Sequence, residues 1–154
     1  MKISYMLICL LVIAATPLRA QTPSDRDELL KGQERGQEQF AEALGYPDPE
    51  HILAMEQTLG LTIVQKEKIK AILDDMTVRA SDVGKTIIKI EDDLRAGFRE
   101  GLATEKSITS DAQDIGRLRG KLRALHLIAN LKTKRVLTDK QVEMYSTMKK
   151  KEEK

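Results

Sequence analysis

From Ile69 onward the apolar residues fall at Ile72/Leu73, Met76, Ala80, Val83, Ile87, Ile90, Leu94 and Phe98, in steps of three and four throughout. That is the period of an α-helix with one buried stripe, whereas a half-buried strand would need steps of two. The run therefore predicts one long helix, with Gly97 and Gly101 loosening its end. After the polar stretch Thr104 to Ser110 the pattern resumes through Ile115, Leu118, Leu122, Leu125, Ala129 and Val136. Ser110 and Gln113 have capping-box spacing for this second long helix. Two long amphipathic helices joined by a short polar turn bury their stripes by folding back on each other. The fold class is all-α, built on a long antiparallel hairpin.

Shorter helices flank the hairpin. Asp48 is a good N-cap, and Pro49 suits the first helical position, where its missing N–H is no loss. The helix they open is expected to reach about Thr58, with Gly60 as its left-handed stop. At the other end a short helix carries Val142, Tyr145 and Met148 on one face. These four helices define a domain over residues 47–149, followed by a charged tail at 150–154 that is expected to fray. Residues 21–46 are rich in Gln, Glu, Asp and Arg, with few large apolar side chains to offset the entropy of ordering. They read as a flexible polar arm, helical in part around Phe40 to Leu44 and closed by the breaker cluster Gly45-Tyr46-Pro47-Asp48-Pro49.

The N-terminus bears on compartment. Lys2 precedes an apolar run from Met6 to Ala15, about half the ~20 residues a spanning helix needs. With Thr16-Pro17-Leu18-Arg19-Ala20 after it, the segment reads as a secretory signal peptide, residues 1–20, cut after Ala20 and leaving no stable membrane insertion. The leader holds Lys2 and Arg19 and no acid, so 24 of the 26 basic residues remain against 24 acidic ones and the mature net charge is zero. Cys9 leaves with the leader, which rules out disulfides and thiolate metal sites in the mature chain. An exported protein without such staples, and with no Trp and two Phe, holds together by aliphatic packing.

One local pattern occurs twice. Leu61-Thr62-Ile63-Val64-Gln65 opens the first long helix, and Leu137-Thr138-Asp139-Lys140-Gln141 opens the last short one. In each, the Thr hydroxyl can accept from the N3 amide while the Gln side chain reaches back to the N-cap amide, a capping box worth about 1 kcal/mol. Two LTxxQ boxes bracketing a helical hairpin behind a signal peptide resemble the Spy/CpxP family of periplasmic stress proteins, which includes zinc-resistance and heavy-metal-sensor relatives. The resemblance covers roughly residues 50–149, and the tract Leu122-Arg123-Ala124-Leu125-His126-Leu127 adds to it. It implies four helices in a thin curved hairpin, dimerised into a cradle. It also implies ATP-independent chaperone activity on unfolded or misfolded envelope proteins, or else envelope-stress or heavy-metal sensing through a signalling partner.

Three constellations can be weighed from the residues themselves. Between Ile115 and Leu137 stand seven basic residues and no acid: Arg117, Arg119, Lys121, Arg123, Lys132, Lys134 and Arg135. They flank a tract that is apolar nearly all round at Leu125, Leu127, Ile128 and Leu131. Basic charge speeds encounter and aliphatic patches add non-directional affinity, so Arg117, Lys121, Arg123, Leu127 and Leu131 form a candidate client surface. Such a tract can equally be covered by neighbouring helices or a partner subunit. His51 and His126 are weak metal candidates, because Asn130 stands four after His126 where a second ligand would be wanted, and Asn is a poor transition-metal ligand. Met55, Met76, Met144 and Met148 read as core or soft contact surface. No nucleophile motif, phosphate loop or HExxH is present, and Glu91-Asp92-Asp93 reads as a solvated face. The expectation is a non-enzymatic protein with no cofactor. Export separates its basic helix from nucleic acid.

Overall fold

A computed structural model describes residues 25–33 and 39–152. Among them the order is α1 (Asp25–Leu30), α2 (Gln39–Ala43), α3 (Pro49–Ala54), α4 (Ile63–Arg99), α5 (Glu105–Val136) and α6 (Asp139–Glu152), with no strand. The leader expected at residues 1–20 lies outside the described residues. No helix of the described residues is long and apolar enough to cross a membrane.

The two long helices pair as the stripes require. α4 has 37 residues and α5 has 32, so at 1.5 Å per residue each is about 50 Å long. Met76, Ala80, Val83 and Ile87 on α4 and Leu118, Leu122, Leu125 and Ala129 on α5 are buried. The α4 stripe fades toward the tip: Ile90 and Leu94 are half-buried and Phe98 is exposed. A two-helix tip has no third element to cover it.

The tip turn is tighter than the sequence reading expects. Thr104, not Ser110, is the N-cap of α5, with Ser107 completing a reciprocal capping box. Gly101, at φ 70°, reverses the chain at once, so the helix resumes by Glu105 and Ser110 lies inside it.

At the open end α3 begins as expected, with the Asp48 carboxylate accepting from the amides of Glu50 at 2.7 Å and His51 at 3.3 Å. It stops at Ala54, short of Thr58, and continues as turns to Gly60 at φ 61°. Leaving the helix early lets Leu59 join Ile52, Ile69 and Tyr145 in a second core, against which Leu61, Val136, Leu137, Met144 and Met148 also pack. Burying these side chains contributes about 1.5–3 kcal/mol each, enough to override continued helical propensity. α6 runs through Glu152, well into the tail expected to fray.

The largest difference concerns residues 21–46, expected as a flexible arm. Their described part carries two helices, and Leu29 of α1 is 2% exposed within the main core beside Ala80, Val83, Ile88 and Leu122. The composition is as polar as it reads, yet one leucine seated on a preformed hairpin anchors the segment. Asp25, Asp27 and Glu28 in the first turn complement the helix dipole. Gly32, at φ 70°, closes α1 with bonds from Gly32 N–H to Leu29 O and Gln33 N–H to Glu28 O.

Candidate functional site

The two LTxxQ boxes form as capping boxes and also meet. Gln65 accepts from the Thr62 amide at 3.0 Å, and the Gln65 amide donates to the Thr62 hydroxyl at 3.2 Å. Gln141 accepts from the Thr138 amide at 2.9 Å, and its own amide donates to the Thr138 hydroxyl at 3.3 Å. The side-chain amides of Gln65 and Gln141 then bond to each other reciprocally, at 2.8 and 3.2 Å. Each NH2 has one hydrogen left: Gln65 donates to Val136 O at 3.0 Å and Gln141 to Leu59 O at 3.2 Å. Both hydrogens and both lone-pair positions of each amide are therefore used. The clasp joins the start of α4, the end of α5, the start of α6 and the turn after α3. Leu61 and Leu137, the leading residues of the two motifs, pack on the core just beneath it.

A second polar knot ties α2 to the same end. The Glu42 carboxylate accepts from Tyr145 OH at 3.0 Å, lies 2.8 Å from His51 Nδ1 and 3.5 Å from Lys149 Nζ. Burial alone would raise the Glu42 carboxyl; the bond and charge of His51, with Tyr145 and Lys149, outweigh it and hold the group below its ordinary value. The bond to Glu42 raises the His51 imidazole, against the opposing effect of burial.

Along the hairpin, α1 lies in the groove between α4 and α5, antiparallel to α4. Arg26 pairs with Asp92 at 2.8 Å and Asp25 with Arg119 at 2.8 Å. Ser81 Oγ donates to Leu30 O at 3.1 Å, and His126 Nε2 lies 2.7 Å from Gly32 O, where it can serve only as donor. The Glu91-Asp92-Asp93 run, read as a solvated face, thus supplies a docking partner: Asp92 faces Arg26 and Arg95, while Asp93 faces Lys89.

The candidate basic surface is divided between the two sides of α5. Arg119 and Arg123 face the N-terminal segment, Arg123 lying 5.8 Å from the Phe40 ring centroid, and farther along Lys134 stands 3.9 Å from that of Tyr46. Arg117 pairs with Asp114 on its own helix, and Lys121 lines a shallow hollow with Arg79, Asp82 and Thr86. Leu127 is half-buried, whereas Ile128 and Leu131 stay exposed at 49% and 37%. Ile128 borders a groove with Ile72, Met76 and Lys132 on the side away from α1.

His51 and His126 are tied to different elements, one to Glu42 on α2 and the other beneath Gly32. Among the described residues no cluster of three or more His, Cys, Asp or Glu is placed to hold a metal. Asn130 and Thr133 share the buried face of His126 and are fully buried, yet Asn130 Oδ1 and Nδ2 and Thr133 Oγ1 have no hydrogen-bond partner. Sequence reading placed Asn130 on the His126 face but missed the polar stripe as a feature. Its signal is the spacing His126, Asn130, Thr133, at i, i+4 and i+7. It also missed Gly84, whose step of four between Ala80 and Ile88 marks a second buried stripe on α4. Compared with known proteins, the chain matches no family model, no curated protein and no solved structure.

Proposed function

We propose that this chain is an exported, non-enzymatic chaperone-like protein that binds unfolded or stress-exposed envelope proteins without nucleotide. The observation that carries the reading is the clasp: two LTxxQ boxes, 76 residues apart, that bond through Gln65 and Gln141 and close a thin helical hairpin. This arrangement suits the resemblance to the Spy/CpxP family, with α3–α6 as the four-helix unit and a homodimeric cradle as the working form. A hairpin only two helices thick leaves aliphatic side chains among charges; Val78, Ile128 and Leu131 are exposed on its flanks. Scattered apolar surface of this kind favours weak, non-directional contact with unfolded chains.

The reading is tested by following aggregation of an unrelated denatured client with the mature protein at near-stoichiometric ratio, with and without chelator and without ATP. Suppression that ignores chelator supports it. No suppression, combined with saturable binding of a metal or of a sensor protein's periplasmic domain, would replace it with the regulator reading.

A further inference from the structure

The N-terminal segment does not lie on the hairpin as a generic tail would. At Gly84 a Cβ would overlap the Leu29 carbonyl, and at Gly32 a Cβ would stand 2.6 Å from the backbone of Ala80 and Ser81. The two backbones therefore touch at two glycines, one on each side. Leu29 fills an apolar seat floored by Ala80, Val83, Ile88 and Leu122. At one end Arg119 and Asp92, on opposite walls, hold a neighbouring acid and base, Asp25 and Arg26. At the other end His126 reaches Gly32 O. Anchor pocket, backbone contact and paired charges are the parts of a peptide-recognition groove.

The buried face of α5 continues past His126. Beyond His126 the same face of α5 carries Asn130 and Thr133, whose buried Oδ1, Nδ2 and Oγ1 are unpaired. A buried polar group without a partner costs about 1–3 kcal/mol. A passing peptide backbone offers both N–H and C=O, the complement of an Asn amide. Beside Gly32 and His126 lies a cavity of 490 Å³, bordered also by Leu73, Met76 and Thr77.

We infer that residues 25–33 are a built-in occupant of a peptide groove between α4 and α5, and that the groove takes leucine-anchored acidic segments of unfolded chains in their place. The segment Asp25-Arg26-Asp27-Glu28-Leu29 defines the ligand chemistry: acids with one arginine ahead of the anchoring leucine, and a glycine three residues after it. The inference rests on the chaperone reading for its source of ligands, while the groove itself stands on the contacts above. Its own occupant keeps the groove covered until a client segment displaces it, so that capture and re-covering compete in one molecule.

The test uses a fluorescent peptide of residues 25–33 as probe against full-length wild type, Leu29→Asp and the double variant Leu29→Asp/Gly84→Ala. Binding is read by anisotropy, and helicity by circular dichroism. Leu29→Asp uncovers the seat, so it should bind the peptide about tenfold or more tightly than wild type, whose apparent affinity is reduced by the small open fraction. Gly84→Ala improves helix propensity within α4 but fills the backbone contact, so the double variant should lose that gain with its helicity intact. If Leu29→Asp lowers the helicity, Leu29→Ala removes the anchor without adding charge and should give the same order. Equal binding by wild type and the opened variant, unchanged binding by the double variant, or equal binding of a scrambled peptide overturns the inference. Peptide binding in the expected order, with no variant protecting a client from aggregation, would keep the groove and remove the chaperone reading. Client protection by wild type without peptide binding would do the reverse.

Discussion

The clasp at the open end and the segment docked along the hairpin are both held by polar contacts across long sequence separations, yet they are built to opposite standards. In the clasp every hydrogen-bonding position of Gln65 and Gln141 is filled, and four elements meet there. Beside the docked segment, the stripe that begins at His126 leaves Asn130 and Thr133 buried and unpaired. Saturation of this kind specifies one arrangement, because any rearrangement strands a buried donor or acceptor. Unmet valences leave a docked state with less to lose when it opens. The clasp is accordingly expected to behave as a unit of the global fold, and the segment as a unit of local opening.

The largest effect that separates them is expected from Gln141→Ala. It removes the bonds to Gln65, Leu59 and the Thr138 amide at a buried site, and should cost about 3 kcal/mol, read as a lower midpoint of urea unfolding. Leu29→Ala creates a comparable apolar defect, where core truncations typically cost 2–5 kcal/mol. If the segment opens locally, that cost is capped by its docking energy. The global midpoint should then move by less than about 1 kcal/mol while the α1 amides lose hydrogen-exchange protection. A full global loss from Leu29→Ala would erase the distinction.

Next come the caps. Thr62→Ala and Thr138→Ala should each cost about 1 kcal/mol. Because their glutamines share bonds, the double variant should depart from additivity by 0.5 kcal/mol or more, roughly the threshold for contacting sites. Thr104→Ala, at the far tip, should cost about as much and add without coupling to either. Additive behaviour at the open end would mean that the clasp does not connect its two boxes energetically.

A smaller effect is set by pH. His51 is raised above its ordinary value of 6.5, so its stabilising bond is fully present below that pH and is lost as pH rises through the raised value. Glu42 is lowered below 4.5, so its contribution is present above that pH and lost as pH falls through the lowered value. The attachment of α2 should therefore be firmest between about pH 4.5 and 6.5 and loosen on both sides. Asp48 supports the His51 charge and Lys149 opposes it, and His51 is about half exposed, which keeps the effect modest. His51→Gln should flatten the alkaline limb of a midpoint-against-pH curve; an unchanged limb would remove His51 from the account.

Smallest for stability, within about 0.5 kcal/mol, is charge reversal at Arg117 and Lys121, which lie on the side of α5 away from the docked segment. Stopped-flow capture of an acidic unfolded client should slow at low salt, where their attraction is least screened. Reversing Arg123, which faces Phe40, should instead disturb the N-terminal segment. Equal capture rates for all three variants would take the basic helix out of client encounter.

Much of the architecture was legible in the sequence, because the deciding interactions are local or periodic. Steps of three and four between Ile69 and Val136 dictated two helices, and the Asp48-Pro49, Thr62/Gln65 and Thr138/Gln141 pairs named three helix starts, since a cap contacts only its own first turn. Gly60 named the left-handed turn before α4, although α3 itself ends earlier, at Ala54. The tip was misjudged because Thr104 with Ser107 competes with Ser110 and Gln113, and the tight turn at Gly101 decides between them. That the two LTxxQ glutamines bond to each other needed the hairpin to bring positions 65 and 141 together. That Leu29 is buried needed a groove made by residues about 50 to 100 positions away. A polar segment that buries a single leucine cannot order itself against its own chain entropy. Only a surface already assembled, with Gly84 leaving room for its backbone, makes that leucine sufficient.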